Sequence, residues 1–158
     1  MTAQDQPTAT TVETGDVYWT DFPNIIRLTG EETDGALCAI EMRLPPGYEG
    51  PPHVHEREDE TFHVVEGEVV LTIGDETTVA DAGTIVHGPR GVPHGHANES
   101  DDEAVIITWV HPAGFEEFMA RAAPKVTDPD DPPVLDMERV LELAPAYGVE
   151  FLLPEESA

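Results

Sequence analysis

Between Asp16 and His111 the chain alternates short β-rich runs with turn residues, and this rhythm restricts the fold more than any other feature. The runs are Val17–Trp19, Ile25–Leu28, Ala36–Leu44, Thr61–Val65, Glu68–Ile73, Thr77–Val79, Thr84–His87, His94–Asn98 and Ala104–Val110. Pro45-Pro46-Gly47, Glu66-Gly67, Gly74-Asp75, Ala82-Gly83 and Gly88-Pro89 separate them with turn chemistry. Short strands at this spacing bury their apolar faces only against one another, so a β-sandwich or barrel follows. At 158 residues the chain is one domain's worth and long enough for a real core.

Set into this framework are four metal-ligating side chains. In the first stretch, Gly47-x5-His53-x-His55-x4-Glu60-x6-Gly67, two histidines stand two residues apart. Extended residues at that separation point to the same side, so both imidazoles aim into one interior. Glu60 opens the next extended run and faces the same pair. The second stretch, Gly83-x5-Pro89-x-Gly91-x2-His94-x3-Asn98, brings His94. Neutral imidazoles and a carboxylate suit a divalent transition metal: Fe, Mn, Ni, Co, Cu or Zn. Four protein ligands leave two open positions on an octahedral ion, an arrangement for chemistry rather than for a closed structural site.

The ten specified residues of these two stretches resemble, without a gap, the two signature motifs of the cupin superfamily. The resemblance implies an all-β jelly roll, the double-stranded β-helix barrel, with one or two short C-terminal helices. It also implies one metal ion per chain on His53, His55, Glu60 and His94. A finer similarity runs over residues 36–154, through PRGVPHGHAN, HPAGFEEFMARAA and LELAPAYGVEFLLP, to small single-domain cupins of the quercetin 2,4-dioxygenase type. It implies a metal-dependent dioxygenase, an oxidoreductase acting on a small phenolic or enolisable molecule with dioxygen, with Glu60 also serving as base. It further implies a homodimer paired through strand edges. Such relatives often carry an aromatic residue two positions after the last ligand; His96 stands there instead, which argues against a flavonol substrate. The same four ligands also serve a metal-dependent isomerase or decarboxylase, and the fold serves as a non-catalytic metal or small-ligand binding module.

His96 shares the strand face of His94. Two roles stand open for it: packing in the core, or a catalytic one in which it orients substrate or relays a proton. His63 has the opposite parity from Glu60 and Phe62, and His87 and His111 flank strands, so a structural or solvent-facing place is expected for all three. Phe62, Val64, Leu71, Ile73, Ile106 and Trp109 are expected as barrel wall, and Glu56-Arg57-Glu58-Asp59 as a solvated loop. Gly67 and Gly83 mark hairpin reversals that require positive φ. Asn98 is expected to end its strand through side-chain bonds to the backbone.

Residues 1–14 are Thr- and Gln-rich and read as a flexible arm, 15–112 as the barrel, and 113–158 as C-terminal helices with an acidic, proline-rich linker and tail. Phe115, Phe118 and Met119 have helical spacing within Gly114–Ala123. Asp136 is placed to N-cap a helix through Leu143, with Val140, Leu141 and Leu143 apolar. Acidic residues number 33 against 7 basic, a formal charge of −26, and Lys125 is the sole lysine. That surplus excludes nucleic acid and anionic membranes as partners and points to a protein adapted to high salt. No apolar stretch approaches membrane-spanning length and no signal-peptide core opens the chain, so a cytoplasmic location is expected. Cys38, the one cysteine, reads as a small core residue. No serine-nucleophile setting, phosphate-binding loop, Rossmann fingerprint or Cys-x-x-Cys pair is present.

Overall fold

A computed structural model describes residues 9–154. Eleven strands form two antiparallel sheets that pack face to face. The first sheet has six strands in the order β1 (Val17–Trp19), β2 (Pro23–Leu28), β3 (Cys38–Leu44), β10 (Ala104–His111), β5 (Asp59–Glu66) and β8 (Ile85–Gly88). The second has five, in the order β11 (Val149–Phe151), β4 (His53–His55), β9 (His94–Ala97), β6 (Glu68–Ile73) and β7 (Glu76–Asp81). This is the expected jelly roll. Two elements escape the β-rich pattern of the sequence. Strand β4 is only three residues long, and β11 becomes a strand solely by pairing with it, Val149 opposite His55 and Phe151 opposite His53.

Alternation along the strands sorts the core from the surface. In β3, Cys38, Ile40, Met42 and Leu44 are buried; in β5, Glu60, Phe62 and Val64; in β10, Ile106, Thr108 and Val110. Each fully buried Leu, Ile or Phe contributes roughly 1.5–3 kcal/mol. Cys38 is a core residue as expected, and burial together with the nearby Glu116 carboxylate pushes its thiol up. Trp109 corrects the wall expectation. It stands three residues from Ile106, so in a regular strand the two take opposite faces, and Trp109 lies on the outer side against Thr61 and Ala39. His63, His87 and His111 also face outward, the latter two meeting the Thr61 hydroxyl at 3.0 and 3.3 Å.

The turns behave as their residues dictate. Gly67 and Gly83 have φ of 77° and 94°. Asn98 is fully buried and clamps its loop, its Nδ2 donating to Leu44 O and Asp102 O while its Oδ1 accepts from Ser100 N and Oγ. Beyond the barrel, α1 (Phe115–Ala122) buries Phe115, Phe118, Met119 and Ala122, and α2 (Met137–Leu143) is capped by Asp136, whose carboxylate accepts from Glu138 N and Arg139 N. Val140 turns inward, while Leu141 faces solvent. A 3-10 turn, Ala144–Tyr147, leads into β11. Helices and β11 together close one mouth of the sandwich. No described helix is long and apolar enough to cross a membrane. Of the expected N-terminal arm, residues 1–8 lie outside the described residues, as do 155–158 of the tail.

Candidate metal centre

Three neighbouring strands deliver the four side chains to one point. His53 and His55 come from β4, His94 lies opposite His53 on β9, and Glu60 arrives from β5 of the facing sheet. One ligand atom from each lies within 4.8 Å of every other. His55, Glu60 and His94 are buried at 1%, 3% and 2% exposure, so water cannot satisfy them. Glu60 Oε2 stands 2.7 Å from His94 Nε2 and 3.2 Å from His55 Nε2, yet neither approach has hydrogen-bond alignment.

The far side of each ring explains why the Nε2 atoms point inward. His53 Nδ1 meets the Pro51 carbonyl at 3.1 Å, and His94 Nδ1 the Val92 carbonyl at 3.4 Å. A carbonyl only accepts, so each Nδ1 carries the proton and each Nε2 presents a lone pair. His55 Nδ1 instead faces Glu58 Oε2 at 3.4 Å. Glu58 is only 5% exposed, which corrects the reading of residues 56–59 as a solvated loop. Its signal was parity: Glu58 stands two residues before Glu60, on the same side of an extended chain. Asp59 takes the other side and accepts from Arg90 N at 2.8 Å and Nε at 3.2 Å, so it does not compete for the cluster.

Electrostatics favour the donor form of His53 and Glu60, and hold a proton on His55 until a cation replaces it. Burial and the neighbouring His94 lower His53 to about 3, which keeps it neutral. Burial opposes ionising Glu60, but His55 and His94 outweigh it and hold the carboxyl well below its ordinary range. Burial likewise disfavours the His55 imidazolium, yet the Glu60 and Glu58 carboxylates prevail and raise it to about 9. Buried Nε2 and Oε2 atoms without partners, converging on one point, fit a divalent transition ion, whose binding displaces the proton that the two carboxylates draw onto His55. His53, His55, Glu60 and His94, which the structure brings together, are the residues that could hold it.

Beside the cluster lies a cavity of about 180 Å³, lined by His53, Glu60 and His96 together with apolar and aromatic side chains such as Phe22, Tyr48 and Phe115. Phe115 packs on the cluster from α1, its ring centroid 4.8 Å from that of His55 in an edge-to-face arrangement, and Phe151 lies against His53 with ring centroids 5.7 Å apart. His96 takes the side predicted for it and looks into this cavity; burial, against the opposing pull of Glu60, lowers its imidazole to about 4. Sequence reasoning missed Asn24 and Tyr48, whose positions on the cavity wall depend on how β2 and the Pro45–Gly50 turn fold back.

Residues 40–111 match the cupin domain family. The chain is 24% identical over 127 residues to the quercetin 2,3-dioxygenase of Bacillus subtilis, matching 78% of this chain and 37% of that protein. It is 30% identical over 115 residues to the H2HPP isomerase of Bacillus subtilis, matching 71% of this chain and 44% of that protein. The chain therefore spans less than half the length of either relative. Among solved structures, an RmlC-like cupin from Shewanella frigidimarina superposes with a TM-score of 0.58 at 21% identity, over 71% of this chain and 96% of that one. Motif, site and fold converge on a cupin domain at residues 40–111.

Proposed function

We propose that this protein is a metal-dependent dioxygenase acting on a small, single-ring phenolic or enolisable molecule. The observation that carries the reading is the largely apolar cavity that reaches the His53/Glu60 side of the ligand cluster. Its size favours small substrates. A cavity of roughly 150 Å³ lined by apolar side chains holds one benzene, so the 180 Å³ here suits one ring and not the three rings of a flavonol. A divalent ion on His53, His55, Glu60 and His94 supplies Lewis acidity and a template for substrate and dioxygen. Glu60, the carboxylate of the cluster that lines the cavity, is assigned as the base that would accept the proton a phenol or enol gives up. Phe115 and Phe151 exclude water from the deprotonated substrate. The likeness to a protein named quercetin 2,3-dioxygenase supports oxygenase chemistry.

An isomerase on the same residues is the second reading, favoured by the 30% identity to an H2HPP isomerase. Oxygen uptake separates the two. The protein is loaded with each candidate metal, its stoichiometry is measured by elemental analysis, and oxygen consumption is followed over a panel of one-ring phenols and enolisable acids. Consumption coupled to substrate loss supports the dioxygenase; turnover without oxygen supports the isomerase. A metal-loaded protein inert in both assays leaves only the binding module.

The protein is further proposed to work as a cytoplasmic homodimer in a salt-rich cell. The exposed edge strand β8, with Ile85 at 64% exposure, supports pairing, and the charge of −26 supports salt adaptation. Sedimentation in molar salt, with a monomer as the adverse result, tests the assembly.

A further inference from the structure

Beyond the ligand cluster, two of the polar side chains that line the mostly apolar cavity hold buried atoms without partners. Both ring nitrogens of His96 are shielded from solvent and have no hydrogen-bond partner. The rings around it are Tyr48 at 5.7 Å and Phe22 and Phe62, each at 6.5 Å, and neither phenylalanine offers an acceptor or donor to an imidazole nitrogen. The second group is Asn24, fully buried and on the same cavity wall. Its Nδ2 donates to Thr20 Oγ1 at 2.7 Å and Phe22 O at 3.1 Å, which fixes the amide orientation and leaves Oδ1 without a donor. Buried polar groups are partnered in folded proteins, and each one left unpaired costs roughly 1–3 kcal/mol. Two of them on one cavity wall point to a partner that arrives with the ligand.

We infer that His96 is a specificity residue: the cavity takes a one-ring substrate bearing, besides the oxygen presented to the His53/His55/Glu60/His94 cluster, a neutral hydroxyl at its far end that hydrogen-bonds to the His96 imidazole. This rests on the proposed role of the cluster and adds the second pole of the substrate. Reach and charge both select it. His96 follows His94 by two residues on one strand, so both imidazoles take the same face and a ligand at the cluster lies beside His96. None of the residues lining the cavity is lysine or arginine, whereas Asp21, Glu49 and Glu60 are acidic. A distal carboxylate or phosphate would enter without a counter-charge and face the Asn24 carbonyl oxygen, which cannot donate. A hydroxyl both donates and accepts, which matches an imidazole with one N–H and one lone pair. Dicarboxylates and sugar phosphates are thereby disfavoured, whichever reaction the cluster performs.

The test is calorimetric titration of the metal-loaded full chain, without oxygen, using benzoate, 4-hydroxybenzoate and terephthalate. All three bring one carboxylate for the cluster and differ only at the far end. In the wild type, 4-hydroxybenzoate binds roughly fivefold more tightly than benzoate, the worth of one net hydrogen bond, and terephthalate binds no more tightly than benzoate. His96→Phe, which keeps a ring but no nitrogen, abolishes the advantage of 4-hydroxybenzoate while benzoate stays within about twofold; His96→Gln retains part of it. A purely structural His96 would shift all three ligands together, so equal changes overturn the inference. So does an advantage that survives His96→Phe, or terephthalate binding more tightly than 4-hydroxybenzoate. Failure of the underlying reading looks different: benzoate then binds equally with and without metal, or no metal is retained at all.

Discussion

Glu58 offers the sharpest test of the centre, because it touches no shared ligand point and acts only through the back of His55. The perturbation is Glu58→Gln, which keeps size and one acceptor but removes the charge. Opposite charges 3.4 Å apart attract with a gross energy on the order of 5 kcal/mol at an effective dielectric of 20. Most of this is offset by the desolvation of two groups that are 1% and 5% exposed. What survives is the usual worth of a carboxylate behind a ligating imidazole, a ten- to hundredfold change in metal affinity. The expected outcome is a Kd for Zn²⁺ or Co²⁺ raised by that factor, read by competition with a chromogenic chelator at pH 7. Asp59→Asn serves as the control: it breaks the contact with Arg90 and leaves affinity within about twofold, since Asp59 faces away from the cluster. Thermal melting of both metal-free variants confirms folding. A folded Glu58→Gln protein with wild-type affinity would refute the claim that Glu58 orients His55 for coordination.

The metal-free protein should be most stable near pH 6.5. Below that pH the unfolded chain takes up protons that His53 and His96, lowered to about 3 and about 4, refuse in the folded state; stability falls by roughly 1 kcal/mol per pH unit per histidine. Above it, the contribution of His55 is lost as pH rises toward its folded value of about 9. Urea unfolding of chelator-treated protein from pH 5 to pH 9 checks both limbs, and a flat profile would sink the assignment. Gly67→Ala should cost at least ~1 kcal/mol more than Gly83→Ala. Both positions have positive φ, but a Cβ at Gly67 meets Glu103 O at 2.9 Å, while nothing lies within 4 Å at Gly83; equal losses in denaturant midpoint would contradict this. Raising KCl from 0.1 M to 2 M should lift Tm by roughly 5 °C, equivalent to one to two kcal/mol in a chain this long. An unchanged Tm would remove the argument for salt adaptation.

Much of this protein was legible in its residues. Strand alternation and turn chemistry are local, so β-rich runs such as Glu68–Ile73 appear with their own bounds, and Asp136 announces its helix by a side chain that caps it. The ligand positions were legible for the same reason. Two histidines at strand spacing share a side wherever the strand lies, and the glycine, proline and asparagine positions around them set the turns that close the barrel. Tertiary structure decided what depends on chain segments meeting from a distance. Strand β11 exists only because β4 supplies its hydrogen bonds. Glu58 is buried because the 3-10 turn and β11 fold over the loop it sits in, with Glu56 N bonded to Gly148 O. Trp109 faces outward because its strand alternates from Ile106 onward, which hydrophobicity does not report. The volume of the cavity, and the stranding of Asn24 Oδ1 and the His96 nitrogens on its wall, arise from packing between sheets and helices far apart in the chain, where no local pattern carries a signal.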